Sequence, residues 1–252
     1  MSKHFIYITF TLLLLVLLAG LIGMSALAAE EKSEKSEIPA IDQREYENLK
    51  TATFALGCFW GGDARYGAVP GVIRTRVGYA GGAMEDPTYH DLGNHTESIQ
   101  VDFNPEVVSY EELVDIFWNR HDPYSVSYNT QYANILFYHD DYQKNIAERT
   151  NRELNEESNQ EVQTQVRPIE KFYPAEPYHQ KYRLKQSSPF ISVLNDIYPD
   201  SEDLRDSTAA ARLNGFLAGH GTPDQVEELA DKLGLTEDAR GKLLNRFGLN
   251  GS

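Results

Sequence analysis

A single cysteine, Cys58, constrains what this chain of 252 residues can fold into more than any other residue does. One cysteine excludes an intrachain disulfide, so no covalent cross-link can stand in for a packed core. The composition allows such a core, because 41% of the residues are hydrophobic and 24% are charged, and the length suits one large domain or two small ones. A reaction that oxidises Cys58 would have to be reset by a thiol from outside the chain.

Cys58 lies between a predicted strand and a predicted helix. Residues 51–56 form a short, apolar and partly β-branched run, which predicts a strand, and residues 63–69 predict a helix. A thiol at this junction would lie near free backbone N–H groups and the positive end of a helix dipole. Both favour the thiolate, which is the nucleophilic form of cysteine. The alternative is a buried structural cysteine, because free cysteines are among the most buried residues.

Residues 1–29 predict a targeting segment. Lys3 and His4 precede a long apolar run that ends near Met24, and residues 26–28 offer a small-x-small cleavage site. Because the run is close to the length that spans a bilayer, an uncleaved N-terminal anchor is the alternative. Either interpretation predicts an extracytoplasmic protein (periplasmic, secreted or anchored), with membrane contact only through an uncleaved segment.

The remaining chain divides into three predicted parts. Residues 30–48 are charged and predict a solvated linker. Strand and helix patterns interleave in residues 49–186, which predicts an α/β or α+β body, the catalytic domain if Cys58 is reactive. Residues 187–252 predict helices alone, and therefore a C-terminal helical appendage, packed on the body or separate. The predicted strands are residues 51–56, 72–79, 97–103, 135–138 and 162–169, and the predicted helices are residues 63–69, 109–119, 141–157, 176–185, 204–217, 223–233 and 236–247.

Local patterns support several of these elements. Ser109 and Glu112 have the spacing of a capping box that opens a helix, and residues 222–225 repeat this signal with a proline at the first helical position. Polarity alternates through residues 97–103, which predicts a strand with one buried face.

Charge and motif spacing exclude several classes of function. The net charge of −15 argues against nucleic acid as a partner, because phosphate binding requires a basic surface. The glycines in residues 78–82 lack the spacing of a phosphate-binding loop and predict a turn. His95 and Glu97 superficially resemble a zinc deaminase motif, but the paired cysteines are absent, and the other histidines lack metal-ligand spacing. No metal or organic cofactor is expected.

Several segments, in order through residues 51–185, resemble the class A peptide-methionine sulfoxide reductases, or peptide-methionine (S)-S-oxide reductases. The matching stretches are residues 57–61 (GCFWG), 77–82 (VGYAGG) with 87–89 (PTY), 95–97 (HTE), 102–113 (DFNPEVVSYEEL), 121–123 (HDP), 130–132 (TQY) and 175–182 (AEPYHQKY). The resemblance implies a two-layer α/β sandwich whose mixed sheet is related to the ferredoxin-like arrangement. It also implies thiol-dependent reduction of S-epimer methionine sulfoxide, protein-bound or free, in the repair of oxidative damage.

The residues themselves fit this chemistry. Reduction of a sulfoxide requires a thiolate that attacks sulfur, an acid that protonates the departing oxygen, and an apolar pocket for the methyl group. Cys58 would supply the thiolate, and Glu97 would supply the acid if burial raises its pKa. Phe59 and Trp60 would form the pocket. Taken alone, Glu97 would be read as an exposed carboxylate, so its role depends on the joint pattern.

The resemblance adds the oxygen clamp and the rest of the cycle. It implies that Tyr89 and Tyr132 donate hydrogen bonds to the sulfoxide oxygen. The product on the enzyme would be a cysteine sulfenic acid, which an external thiol reductant, such as a thioredoxin-like or glutaredoxin-like protein, would reduce. His121 and His179 match family positions and are expected to be structural.

The sequence also departs from the family pattern. Ser127 stands where the family commonly has an aspartate, the preceding loop is shortened, and no resolving cysteine lies toward the C-terminus. These departures leave open a catalytically silent protein that binds methionine-containing peptides. A cysteine hydrolase, with Cys58 acylated and a histidine such as His95 as the base, is the other alternative.

Overall fold

A six-stranded mixed sheet lies at the centre of residues 37–249, the part of the chain that the computed structural model describes. The strands are β1 (Lys50–Leu56), β2 (Val72–Ala80), β3 (Thr96–Phe103), β4 (Asn134–Tyr138), β5 (Gln165–Pro168) and β6 (Phe172–Pro174), in the spatial order β5-β4-β1-β3-β2-β6. Neighbouring strands are antiparallel except for β4 and β5, which are parallel. The predicted α+β class is confirmed. The predicted targeting segment lies outside the described residues.

Helices cover the sheet and continue to the C-terminal end of the described range. They are α1 (Phe59–Gly67), α2 (Tyr110–Trp118), α3 (Asp141–Glu157), α4 (Tyr182–Lys185), α5 (Ser188–Ile197), α6 (Ser201–Asp206), α7 (Thr208–Leu217), α8 (Pro223–Leu229) and α9 (Glu237–Arg246), with 3₁₀ turns at Thr130–Tyr132, Pro177–His179 and Ala230–Lys232. Within residues 37–249, none of the helices has the length and apolar character needed to cross a bilayer.

Two large hydrophobic cores hold these layers together, and a third, smaller cluster lies around Phe137. The first joins the sheet to α1, α2 and α3, and its centre is Phe54, whose ring stacks on Tyr66 at 4.7 Å and on Phe117 at 5.7 Å. The second is built mainly from α4 to α9 and includes Ala68, directly after α1. The helical C-terminal region is therefore packed on the body of the fold rather than separate from it.

The helix starts agree with their local sequence signals. The Ser109 hydroxyl accepts the Glu112 N–H, and the Glu112 carboxylate accepts the Ser109 N–H at 2.8 Å, so the predicted capping box is present. Thr222 and Gln225 form the same reciprocal pair at the start of α8. Each cap satisfies N–H groups that a helix leaves free in its first turn.

Two elements differ from their predictions because of tertiary contacts. Strand β3 is covered on both faces rather than one, because Asp102 is held by Arg74 and Arg76, and Arg76 reaches Asp206 of the helical region at 2.7 Å. The predicted helix over 176–185 is interrupted, because Lys181 adopts a left-handed backbone with φ of +53°.

The helical region also differs in detail from its prediction. Helix α5 was not predicted, and the single helix expected over 204–217 is two helices that meet at Ser207, whose hydroxyl caps α7. Strand β6 was not predicted either.

Part of the predicted linker packs against the helical region. Ile41 is only 8% exposed. The Asp42 carboxylate accepts the N–H of Thr208 at 2.6 Å and the hydroxyls of Ser207 at 2.7 Å and Tyr198 at 2.8 Å. A carboxylate at the N-terminus of α7 is favourable because the first N–H groups and the helix dipole point toward it. This portion of residues 30–48 is therefore structured rather than solvated.

Candidate active site

Cys58 is the N-cap residue of α1, directly after β1 and Gly57. Gly57 has a φ of +77°, a backbone conformation that favours glycine, and it turns the chain from the strand into the helix. Cys58 is exposed to solvent at the residue level. The predicted strand-to-helix junction is present, and the alternative of a buried structural cysteine does not fit this position.

The electrostatic surroundings of Cys58 differ from the expectation of a resting thiolate. Partial burial of the sulfur is the main cause that raises the pKa of the Cys58 thiol above its ordinary value, and the nearby charge of Glu97 raises it further. The backbone N–H groups of Trp60 and Gly61 lower the pKa, as expected at a helix N-terminus, but they do not outweigh the burial. The resting thiol is therefore protonated at neutral pH, and attack on a substrate requires that its proton be removed.

Glu97 lies on β3 with only 1% of its surface exposed. One carboxylate oxygen accepts the backbone N–H of Phe59, the first residue of α1, at 3.0 Å, and the other accepts the side-chain amide of Gln131 at 2.8 Å. Burial raises the pKa of Glu97, although both hydrogen bonds act to lower it. Glu97 is thus a buried carboxyl group that can hold a proton beside Cys58, and the alternative of an exposed carboxylate is excluded.

The 3₁₀ turn Thr130–Tyr132 carries both Gln131 and Tyr132 to the same place. Tyr132 is 37% exposed, and its pKa is raised first by partial burial and then by Glu97, Tyr89 and Cys58. Tyr132 therefore lies within electrostatic reach of the predicted nucleophile, the predicted acid and the second predicted tyrosine. The structure brings these four predicted residues together.

Tyr89 is anchored by the segment that follows β6. Its backbone N–H donates to the Glu176 carboxylate at 2.9 Å, and its ring lies 4.6 Å from the ring of His179. The other oxygen of Glu176 accepts the Tyr79 hydroxyl at 2.7 Å. Glu176 therefore fixes Tyr89 to the sheet.

The predicted pocket residues occupy different depths. Phe59 is 1% exposed, so it supports the pocket from within and offers no free face. Trp60 is half-buried, and its ring stacks on Tyr182 at 3.7 Å with planes 5° apart. Its indole N–H donates to Nδ1 of His179 at 3.2 Å, so Nδ1 acts as an acceptor and Nε2 carries the proton of the neutral ring. Burial lowers the pKa of His179, which keeps that ring neutral.

Sequence reasoning missed the roles of three residues and the partner of a fourth, His179, which was expected to be structural. Gln131 holds the buried carboxylate, Glu176 anchors a tyrosine, and His179 and Tyr182 fix the indole ring. All four lie in stretches that matched the family pattern. No role could be derived for them because their partners lie at least 34 residues away in sequence.

Two predicted peripheral features have clear contacts. Ser127 donates its hydroxyl to the carbonyl of Asn129 at 2.9 Å, and the neighbouring Tyr128 is 99% exposed, so the shortened loop forms an open rim. His121 contacts the Phe117 carbonyl at 3.0 Å and the Thr164 hydroxyl at 2.7 Å, which fits a structural role.

His95 does not fit the role of a hydrolytic base. It is 1% exposed, Nδ1 accepts the N–H of Gly82 at 3.1 Å, and Nε2 contacts the carbonyl of Met84 at 2.8 Å. With both nitrogens engaged, His95 cannot activate Cys58. Across the described part of the chain, no three His, Cys, Asp or Glu side chains cluster as metal ligands.

Comparison with known proteins identifies the family. A sequence model described as peptide methionine sulfoxide reductase matches residues 50–209. The chain belongs to this family. Among curated proteins it is similar to the peptide methionine sulfoxide reductase of Drosophila melanogaster, with 45% identity over 192 residues, 75% of this chain and 77% of that protein.

Further relatives agree with this assignment. Peptide methionine sulfoxide reductase A5 of Oryza sativa subsp. japonica is 39% identical over 190 residues, 73% of this chain and 74% of that protein. The reduced form of Mxr1 from Saccharomyces cerevisiae has a similar crystal structure, with a TM-score of 0.51 and 32% identity over 57% of this chain and 90% of that one. The protein is therefore an oxidoreductase of the methionine sulfoxide reductase family.

Proposed function

We propose that this reductase acts on the S epimer of methionine sulfoxide, protein-bound or free, with Cys58 as the nucleophile and Glu97 as the general acid. The observation that carries the proposal is the burial of Glu97 against the N-terminus of α1, where its carboxylate accepts the N–H of the residue that follows Cys58. Because burial raises the pKa of Glu97, this carboxyl can hold a proton for transfer.

In the first step, the sulfur of Cys58 attacks the sulfoxide sulfur while Glu97 protonates the oxygen. The attack forms a sulfur–sulfur bond, which breaks again as the oxygen passes to Cys58. The bond between oxygen and the methionine sulfur breaks, and an oxygen–sulfur bond forms on Cys58. The methionine sulfur gains two electrons and the Cys58 sulfur loses two, so the products are methionine and a sulfenic acid. The proton that leaves Cys58 replaces the proton that Glu97 gives up.

The two tyrosines and the indole would orient the substrate. Tyr89 and Tyr132 would donate their hydroxyls to the sulfoxide oxygen, where negative charge develops. Trp60, fixed by two aromatic neighbours, would place its free face against the S-methyl group. This arrangement supplies each element that the reaction requires.

In the second step, an external dithiol would reduce the sulfenic acid. Two thiols give up two electrons and become a disulfide, and the oxygen leaves as water. Cys58 is the only cysteine of the sequence and is exposed, so a thioredoxin-like or glutaredoxin-like protein could reach it. No metal or organic cofactor takes part in this scheme.

The test is turnover with each sulfoxide epimer in the presence of excess dithiol. We expect methionine from the S epimer alone, no turnover by Cys58→Ser, and a sulfenic adduct at Cys58 when a sulfenic acid trap replaces the dithiol. Substrate binding without an adduct would show instead a silent protein that binds methionine-containing peptides. Equal turnover of both epimers would contradict the proposed stereochemistry.

We also propose that the protein acts outside the cytoplasm, on the strength of the apolar segment in residues 1–29. Expression of the full chain followed by N-terminal sequencing distinguishes a cleaved leader from a retained anchor. Recovery of the full-length chain from the cytoplasmic fraction would contradict the proposal.

A further inference from the structure

Helix α7, in the C-terminal helical region, lies directly against the catalytic helix α1. The two helices approach closely because each has a glycine where the other's backbone passes. A side chain at Gly67 of α1 would collide with the carbonyl of Ala211, and one at Gly215 of α7 would collide with the carbonyl of Ala64. At these two places the backbones of α1 and α7 are in direct contact, and neither place has room for a side chain.

Two polar side chains of α7 donate hydrogen bonds to α1. Asn214, which has no exposed surface, donates its amide to the Asp63 carboxylate of α1 at 3.0 Å and accepts the backbone N–H of Leu184 at 3.1 Å. Arg212, 4% exposed, donates to the carbonyl of Gly67 at the C-terminus of α1. A cation at that end of a helix is favoured by the helix dipole.

Asp63 is the centre of this buried network. Besides Asn214, its carboxylate accepts the hydroxyl of Thr75, the backbone N–H of Lys181 at 3.1 Å and the ammonium group of Lys181 at 3.2 Å. Asp63, Thr75, Lys181 and Asn214 are all 0% exposed. A buried carboxylate with this many partners has one strongly preferred position, because any displacement leaves a charge or donor unsatisfied.

The hydrogen-bond network of Asp63 is connected to the active site in two ways. Asp63 lies in the same short helix whose N-cap is Cys58. Lys181 lies between His179 and Tyr182, the two rings that contact the indole of Trp60. A shift of the Asp63 carboxylate would therefore move both the nucleophile and the wall of the pocket.

We propose that Asn214 is a positioning residue of the active site, through which α7 fixes Asp63 and thereby the catalytic helix and the pocket rings. Helix α7 is then part of the catalytic apparatus rather than of an independent appendage. The expected effect on turnover rests on the proposed function. The expected effect on the reactivity of the Cys58 thiol does not depend on that function.

The test compares two Asn214 variants with a matched control. Asn214→Asp keeps the volume and the acceptor for Leu184 but replaces the amide donor to Asp63 with a second carboxylate, and Asn214→Ala removes both bonds. Leu243→Ala, in α9, removes a 0% exposed side chain from the core of the same helical region and changes no hydrogen bond of Asp63 or Asn214. All proteins are studied below their unfolding transitions.

Three measurements are made on each variant. The first is the alkylation rate of Cys58 by iodoacetamide against pH, which is specific because the chain has one cysteine. The second is the emission of Trp60 in a Trp118→Phe background, since these are the two tryptophans of the sequence. The third is single-turnover reduction of S-epimer sulfoxide, with KM and the maximal rate separated.

For both Asn214 variants we expect a changed alkylation profile, a shifted Trp60 emission and a maximal rate lowered about tenfold or more, because misplacement of a reacting group by about 1 Å can cost as much as 100-fold. Leu243→Ala should lower the unfolding temperature and leave all three readouts within about twofold. Asn214 variants that lose stability but keep wild-type alkylation and emission would overturn the proposal. Alkylation and emission do not require sulfoxide turnover, so a failure of the proposed function would be recognised separately.

Discussion

Replacement of Glu97 by glutamine should lower activity and raise stability in the same protein. The amide has nearly the shape of the carboxylate, and its oxygen can still accept the N–H of Phe59, which is bonded at 3.0 Å. The amide of Gln131, now at 2.8 Å from the second oxygen, can turn so that its own oxygen accepts a hydrogen bond. Both hydrogen bonds are kept, so the variant removes only the proton that the Glu97 carboxyl group can transfer.

The loss of rate follows from the remaining proton donors. General acid catalysis contributes about 10²- to 10⁴-fold. A substitute donor is the Tyr132 hydroxyl, whose pKa is raised above its ordinary value, so it is a poorer acid than an unperturbed tyrosine. We therefore expect a loss in the upper part of that range, about 10³-fold, which corresponds to about 4 kcal/mol of barrier.

The gain in stability follows from the direction of the pKa shift. The pKa of Glu97 in the folded protein is raised by burial, so the stability linked to its proton is present at low pH and is lost as the pH rises through the folded pKa. Above the folded pKa the ionised buried carboxylate opposes folding, and the amide removes that cost. Glu97→Gln should thus unfold at a higher temperature than the wild type at pH 8, and the difference should vanish below about pH 4, where both states bind the proton.

The assay is single-turnover methionine formation from S-epimer sulfoxide, together with thermal unfolding at several pH values. Glu106→Gln is the control, because it makes the same chemical change at an exposed position. A rate within tenfold of wild type would refute Glu97 as the general acid. A variant less stable than wild type at pH 8 would refute the assignment of a raised pKa.

Three further predictions concern other parts of the site. Glu97→Gln should also move the pH midpoint of Cys58 alkylation downward, because the charge of Glu97 raises the pKa of the thiol, and an unchanged midpoint would contradict this coupling. Gly57→Ala should destabilise the protein by about 1 kcal/mol, since an L side chain is strained at a φ of +77° although nothing lies within 4 Å of the added carbon; urea unfolding measures this loss. Lys181→Met should cost about 3–5 kcal/mol because Asp63 becomes a buried unpaired charge, whereas Asp63→Asn with Lys181→Met should recover much of it, and a double variant no better than the single one would count against the pairing.

Local signals in the sequence predicted the elements that depend on local contacts. The capping box of Ser109 and Glu112 spans three residues, and the polar helix Asp141–Glu157 was predicted with its observed bounds. The strand-to-helix junction at Cys58 belongs to the same class, because glycine and apolar residues within a few positions determine it.

The features that the sequence could not reveal depend on distant partners. Lys181 has a left-handed backbone inside a predicted helix, and its N–H bonds to Asp63, 118 residues earlier. Taken alone, Glu97 is expected to be an exposed carboxylate at the start of a strand, and its burial depends on the packing of α1 against β3. The thiolate expected at Cys58 followed from the helix N-terminus alone, while burial and Glu97 act in the opposite direction.

The two ends of α1 therefore meet opposite demands of the one-cysteine cycle that we propose. Cys58 must meet a sulfoxide and then a reductant, and its residue is exposed beside an open rim where Tyr128 is 99% exposed. An exposed nucleophile on a short helix has few contacts of its own to fix it, so its position has to be set from behind. The buried carboxylate of Asp63 and the amide of Asn214 do this without covering the sulfur. Because the chain has no second cysteine, the helical region that follows the catalytic body can act as a brace and does not need to bend back over the site.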